Sequence, residues 1–582
     1  MINDSKLKKI FYLLILLTIC FIGFSVRFFW HEISPPGFTA DEAVFGYNAY
    51  SLLKTGKDEF GASWPIALRA FGDWRPALYS YLVIPFVYIF GLTEMAVRMP
   101  SILLGSATIP VVMGISWILT KNKLVTILAG LTLALSPTHI LISRFADMST
   151  LSTFFLGMGA MCFLWWKKKT KRIYLIISAA SFGLSALSYH NARVTGPLLV
   201  IALTILNLKI VKRHLADVAI AFGCGIMVLL PLILFIVKSP DLVLRRGKYE
   251  SFLGQKGYEI KLWNLISTNP PGQNPIFTRF FYNKPKIISE EFIEKFFSHF
   301  SPAFLFLSGD SHERFQTPSS GVYNFLLFFL LPVGFIVALR RKNLFILPIW
   351  WLLSPLISSI GIFTPNSLHT LDASIPAVVM AGIGAKKLAD KFSGKTKMLL
   401  VAGGVVIFSI SLASFLKGYF YDIPHSRELR WNWYPKTEEL TGKINDLTGN
   451  DNVIVVGNRS MHEFIAFNNR VDPATYQKSV LASDAPDENG FERVESFGRF
   501  IFYGGFDIKK IYEGNWVVLD KDSLPQNLTW QTTDCVNNKD KPFFELKKQI
   551  MDLGQPVYSI YYFPKDQLKS KSDFCALSSN NL

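Results

Sequence analysis

The stretch "LYSYLVIPFVYIFG", residues 78–91, decides how this chain crosses a membrane. It is apolar but only 14 residues long, bounded by Pro76 and Gly91, whereas a helix needs about 20 residues to span hydrocarbon. If it crossed, every later connection would change sides, and "WWKKKTKR" (165–172) would lie outside. Cytoplasmic connections carry the excess of Lys and Arg, so the stretch is read as an interfacial or re-entrant helix.

Eleven apolar runs then remain as spans, near 10–29, 96–119, 124–142, 150–166, 173–190, 194–208, 216–238, 321–339, 343–362, 370–386 and 397–416. The basic connections that include Lys6, Lys121, Lys167, Lys209, Arg340 and Lys386 hold about 21 Lys and Arg, and the alternate short loops about six. The N-terminus is therefore expected in the cytoplasm and everything after residue 417 outside it. The first run follows "KLKK" but has no small-residue cleavage site and continues through Phe28, Phe29 and Trp30, which excludes a signal peptide.

Composition agrees with a multi-pass protein of the cell membrane. Half of the 582 residues are hydrophobic, 18% are charged, and the mean hydropathy is +0.30. The net charge of +17 sits in the short connections, so it reflects topology and not a nucleic-acid surface. The expected fold is a polytopic α-helical membrane domain, residues 1–416, followed by an extracytoplasmic α/β domain, residues 417–582. The membrane domain includes outer loops at 30–95 and 239–320. In the last region "NVIVVG", "FGRFIFYG", "NWVVLD" and "PVYSIYYF" read as strands and "KTEELTGKINDL" as a helix. Cys535 and Cys575 share that region, and an oxidising exterior permits them to pair.

The first outer loop contains "GFTADEAVFGYNAYSLLKTG", residues 37–56. Thr39 and Glu42 form a capping box, Gly56 is placed to end the helix, and Phe45, Ala49, Leu52 and Leu53 make an apolar stripe. The expected helix is amphipathic and lies on the membrane surface. Its first turn presents Asp41 and Glu42, and a carboxylate at a helix N-terminus is held ionised, ready to accept a proton. The same face gathers Asp58, Glu59, Asp73 and Arg75, then Arg144 and Asp147, His190 and Arg193, and His369 with Asp372. Ionisable residues at the mouths of spans are costly unless paired or functional.

Nucleotide-activated donors are cytoplasmic, so a group transferred outside arrives already activated on a membrane carrier such as a polyprenyl phosphate. That reaction needs a base for the acceptor hydroxyl and cations for the leaving phosphate. Asp41 suits the first task, and Arg75, Arg144 or Arg193 the second. The alternative is a transporter or flippase for a lipid-linked sugar, but no internal repeat is visible and the charges sit at one face.

The motifs "ADEAVFGYNAYSLLKTGKDEFG", "FGDWRPALYSYLVIPF", "VRMPSILLG", "SPTHILISRFADMSTLSTFF", "LSYHNARVTGPLL" and "TPNSLHTLDASIP" follow one another over residues 10–415. In that order they resemble the GT-C glycosyltransferases, specifically glycosyltransferase family 39, with the protein O-mannosyltransferases and lipid A aminoarabinose transferases. The resemblance implies an inverting glycosyltransferase that moves a sugar from a polyprenyl-phosphate carrier to a hydroxyl of a protein, lipid or envelope glycan. It makes Asp41 the base, Glu42 its partner and Asp147 the second-loop acidic position. His190 and His369 join the arginines as candidates for substrate binding, and His299 and His312 for the acceptor side. Many bacterial relatives carry a His-x-x-Arg pattern where this chain has His369 and Asp372. No cofactor is expected; a divalent ion would be held only if Asp41, Glu42 and Asp147 converge.

Overall fold

The computed structural model describes residues 4–254, 257–267, 280, 282–483, 492–504, 516–523 and 545–562. Cys535 and Cys575 lie outside the described residues. The chain divides into two units. A bundle unit comprises Met1–Pro36, Trp74–Phe86 and Met95–Asn432, and a sheet unit comprises Gly37–Asp73, Val87–Glu94 and Trp433–Leu582.

Among the described residues five helices are long and apolar enough to cross a membrane: Lys6–Phe28, Glu94–Thr120, Met148–Lys169, Leu215–Lys238 and Gly394–His425. Lys123–Ala134 and Pro137–Ser143 meet at a 53° bend, the geometry of a broken span or a re-entrant loop, and add a sixth where the pair is one span. The protein is an integral membrane protein. Four further expected spans carry shorter helices, Arg172–Ser188, Ala192–Leu206, Leu327–Leu339 and Ile346–Ile360, and the stretch at 78–91 forms the 13-residue helix Leu78–Phe90. These helices are cut short by polar ends: Asn207, for instance, turns its amide back onto the Leu203 carbonyl (2.7 Å).

Helix Ser374–Lys391 is buried along most of its length because Leu327–Leu339 packs directly on its backbone. A Cβ on Gly334 would overlap the Met380 carbonyl, and one on Gly384 the Leu330 carbonyl. Small residues permit this approach where no hydrophobic drive operates between helices in lipid. Gly334→Val is accordingly expected to lower the melting temperature in detergent, and Gly403→Val, which meets nothing within 4 Å, to leave it unchanged. Equal melting of the two variants would refute close packing at Gly334.

Among the described residues the sheet unit is built on seven strands in the order Leu481–Ala482, Val494–Phe497, Phe500–Tyr503, Val453–Val456, Trp516–Asp520, Gln555–Tyr562 and Glu545–Asp552. The middle strand runs parallel to both neighbours, with Val453 opposite Phe500 and Trp516, and the remaining pairs are antiparallel. All four of its side chains are buried, as expected of a central strand covered on both faces. All four strands and the helix read from sequence in this region are present, the helix as Thr437–Thr448.

The sheet unit also takes in residues 37–73, which the sequence placed in the membrane domain. Helix Ala40–Thr55 packs on Met461–Asn468 and Pro473–Ser479. Phe38 meets Phe467 with ring centroids 4.7 Å apart, and Tyr47 meets Tyr476 at 5.2 Å. The Gln477 amide donates to Ser51 Oγ (3.1 Å), Thr55 Oγ1 (3.1 Å) and the Asp58 carbonyl (2.9 Å). At the tip of the loop, Phe71 and Gly72 both have positive φ, the backbone of a tight turn. The Phe71 carbonyl accepts from Glu492 N (3.0 Å), while Arg69 Nε pairs with the Glu492 carboxylate (2.8 Å).

Candidate functional site

The candidate residues fall into two groups, one in each unit. In the sheet unit the capping box forms as the sequence requires. Thr39 Oγ1 accepts from Glu42 N (3.3 Å), Glu42 Oε2 accepts from Thr39 N (2.9 Å), and Gly56 closes the helix in the left-handed conformation with φ 69°. Glu42 is fully buried and Asp41, one residue earlier, is partly exposed. The expected surface helix is corrected here: Val44, Tyr47, Asn48 and Ser51 are buried together with Phe45, Ala49 and Leu52. Helices from the C-terminal part of the chain cover the face that the sequence left to solvent.

Glu59 supports this helix from within. It is fully buried, accepts from Asn48 Nδ2 (2.9 Å) and gives its own backbone N–H to Asn48 Oδ1 (3.1 Å). Its second carboxyl oxygen has no hydrogen-bond partner among the described residues. Burial, with the Glu463 carboxylate nearby, raises its pKa well above the usual carboxylate range. A raised pKa stabilises the folded state at low pH, and that contribution is lost as pH rises through the folded value. His462 is held neutral by burial, so above the ordinary histidine range, about pH 6.5, the slope belongs to the carboxyls. Above that pH the melting temperature is expected to fall with rising pH in the natural protein and to flatten in Glu59→Gln. Parallel curves would show that Glu59 is ionised in the folded state.

In the bundle unit the structure brings His369, of the candidate residues, to the mouth of helix Met148–Lys169, while His190 and Arg193 are not among the residues that line it. Asp147 is the N-cap of that helix, its carboxylate accepting from Ser149 N (2.6 Å). Tyr189 donates or accepts at His369 Nδ1 (2.5 Å), and the two rings stack at 5.7 Å. The Asn191 amide donates to the His369 carbonyl (3.0 Å), and His369 N donates to Asn366 Oδ1 (3.0 Å). These groups, with Ser149, Ser152 and Thr153, surround a water-sized cavity of about 10 Å³. Arg193 Nε reaches the Ala186 carbonyl (3.3 Å), and Arg75 is buried on the strand Asp73–Pro76.

Arg144 is placed differently. It is fully buried, Nε and Nη2 donate to the Ser34 carbonyl (3.2 and 2.7 Å), and Nη1 donates to the Val26 carbonyl. Its guanidinium lies over the Phe420 ring at 4.8 Å. Those bonds make it a structural tie, and the expected phosphate contact is withdrawn for this residue. Asp372 is likewise internal, accepting from Trp350 Nε1 (2.8 Å) and Ser354 Oγ (2.7 Å). His299 bonds Ser358 Oγ (2.8 Å) and the Lys295 carbonyl (2.9 Å), and burial pushes its pKa down to about 4. His312 stacks on Phe315 at 4.9 Å.

Sequence reasoning passed over Tyr189, Asn191, Ser149 and Gln477. The first two adjoin His190 in "SYHNAR", so the signal was a polar-aromatic cluster directly before a span. Among the described residues no group of three or more His, Cys, Asp or Glu could hold a metal ion.

Residues 70–238 match the family model of the dolichyl-phosphate-mannose-protein mannosyltransferases. Among solved structures, ArnT from Cupriavidus metallidurans in the apo state aligns over 96% of this chain and 98% of its own. It has 11% identity and a TM-score of 0.51, and the same enzyme bound to undecaprenyl phosphate gives the same values. The fold is that of the GT-C glycosyltransferases. The archaeal oligosaccharyltransferase AglB from Archaeoglobus fulgidus, in complex with an inhibitory peptide and a dolichol-phosphate, has 12% identity. That alignment covers 79% of this chain and 64% of AglB, with a TM-score of 0.48. No curated protein sequence matches the chain.

Proposed function

We propose that this protein is a membrane glycosyltransferase that transfers a sugar from a polyprenyl-phosphate carrier to an acceptor hydroxyl at the extracytoplasmic face, with inversion. The observation that carries the reading is the capping box, which fixes Asp41 at the first turn of a buried helix in a chain with the GT-C fold. In this reading Asp41 takes the proton of the acceptor hydroxyl as its oxygen bonds to the anomeric carbon. The bond from that carbon to the phosphate oxygen breaks, and the carrier leaves as polyprenyl phosphate. A single displacement inverts the configuration.

Arg75 and Arg193, with His190 and His369, are the groups assigned to the phosphate as its charge grows. Glu42 holds the turn in which Asp41 sits. The lysine-rich connections favour a cytoplasmic N-terminus and an external sheet unit. The undecaprenyl phosphate in the ArnT structure agrees with a lipid-phosphate donor.

The test is a turnover assay with purified protein and a labelled polyprenyl-phosphate sugar, read as consumption of carrier and appearance of label on an acceptor. A protein that moves the intact donor between leaflets of a vesicle without consuming it would be a flippase, and the proposal would fail.

A further inference from the structure

The bundle unit holds a second, larger cavity, of about 290 Å³, that shares no lining residue with the cavity at His369. Leu164, Leu203, Leu206 and Ile346 form its apolar wall, and Lys167 and Lys342 stand beside them. Lys167 belongs to the last turn of Met148–Lys169, and Lys342 follows helix Leu327–Leu339, so two lysine-rich connections bring their cations to one opening.

Nearby basic residues are otherwise provided for. Arg172 pairs with Asp217 (2.6 Å), and Lys169 lies over the Trp165 ring at 4.8 Å. Lys167 and Lys342 have no acidic partner among the described residues, and their charges repel each other. Like charges gathered without a counter-ion around an opening call for an anion, and an apolar wall beneath them calls for that anion to carry hydrocarbon.

We infer that this cavity binds an anionic phospholipid, its phosphate at Lys167 and Lys342 and the start of an acyl chain against Leu164, Leu203 and Leu206. The site is separate from the proposed donor site and does not depend on the glycosyltransferase reading. An anionic headgroup gains on the order of fivefold in affinity per lysine near it. Removing both lysines should weaken retention about 30-fold.

The test is native mass spectrometry of the full chain, from mixed micelles of phosphatidylglycerol and phosphatidylcholine, on the natural protein, K167Q/K342Q and K395Q/K397Q. The expected result is selective retention of phosphatidylglycerol by the natural protein and by K395Q/K397Q, lost in K167Q/K342Q while its melting temperature without added lipid is unchanged. Equal retention by K167Q/K342Q, or equal loss in K395Q/K397Q, would overturn the assignment. So would displacement of the lipid by millimolar inorganic phosphate, which would make free phosphate the occupant.

Discussion

Asp41→Asn is expected to lower turnover by roughly 100- to 10,000-fold, the usual contribution of a positioned general base, and to leave folding intact. Asparagine keeps the side-chain volume, and the loss of one charge at a helix N-terminus costs about 0.3–1 kcal/mol. The side chain is only partly buried, so no cavity opens. Glu42 provides the contrast. Its carboxylate accepts from Thr39 N, a bond that glutamine also makes, so Glu42→Gln should retain turnover within about an order of magnitude. Steady-state rates of the two variants, with melting curves for each, separate the roles. Near-normal turnover in Asp41→Asn would remove it from the chemistry, and an equal collapse in Glu42→Gln would make the pair act together.

The second large effect is expected at Phe467, which touches no candidate substrate-binding residue. Its ring is 3% exposed and packs on Phe38, itself 1% exposed and adjacent to the capping threonine. Phe467→Ala removes that wall at a cost of about 3–5 kcal/mol to the sheet unit. Because Phe38 sets where helix Ala40–Thr55 begins, the loosened wall also frees Asp41 to wander. A displacement near 1 Å is worth about 100-fold in rate. Turnover should therefore drop about 100-fold at temperatures where Phe467→Ala is still folded, and Phe467→Leu should recover most of it. Normal turnover in folded Phe467→Ala would show that the helix is positioned by other contacts.

What could be read from the sequence was decided by interactions between near neighbours. The capping box joins residues three apart and the Gly56 stop four apart, so both were legible. The strands near 453, 500, 516 and 555 were legible because apolar runs between turn residues have few alternatives. The environment of the acidic motif was not. Asn48 and Ser51 look like the wet side of an amphipathic helix, yet Asn48 bonds Glu59, eleven residues on, and Ser51 bonds Gln477, 426 residues away. Arg144 looked like an anion clamp because a guanidinium in a polar loop carries no record of the carbonyls it will meet. The pairing of Tyr189 with His369 depends on two loops 180 residues apart, which periodicity cannot join.

The contact between Tyr47 and the Val471 carbonyl spans 424 residues, and it dates the burial of the acidic helix. At ordinary ribosomal speeds the acidic helix leaves the ribosome on the order of 20–90 seconds before the strands and helices that enclose it exist. Until then it is a short, unsupported helix, marginal on its own in water. The nascent chain can thread its first hydrophobic segments into the bilayer while the helix that carries Asp41 is still unformed, so its placement waits for residue 471.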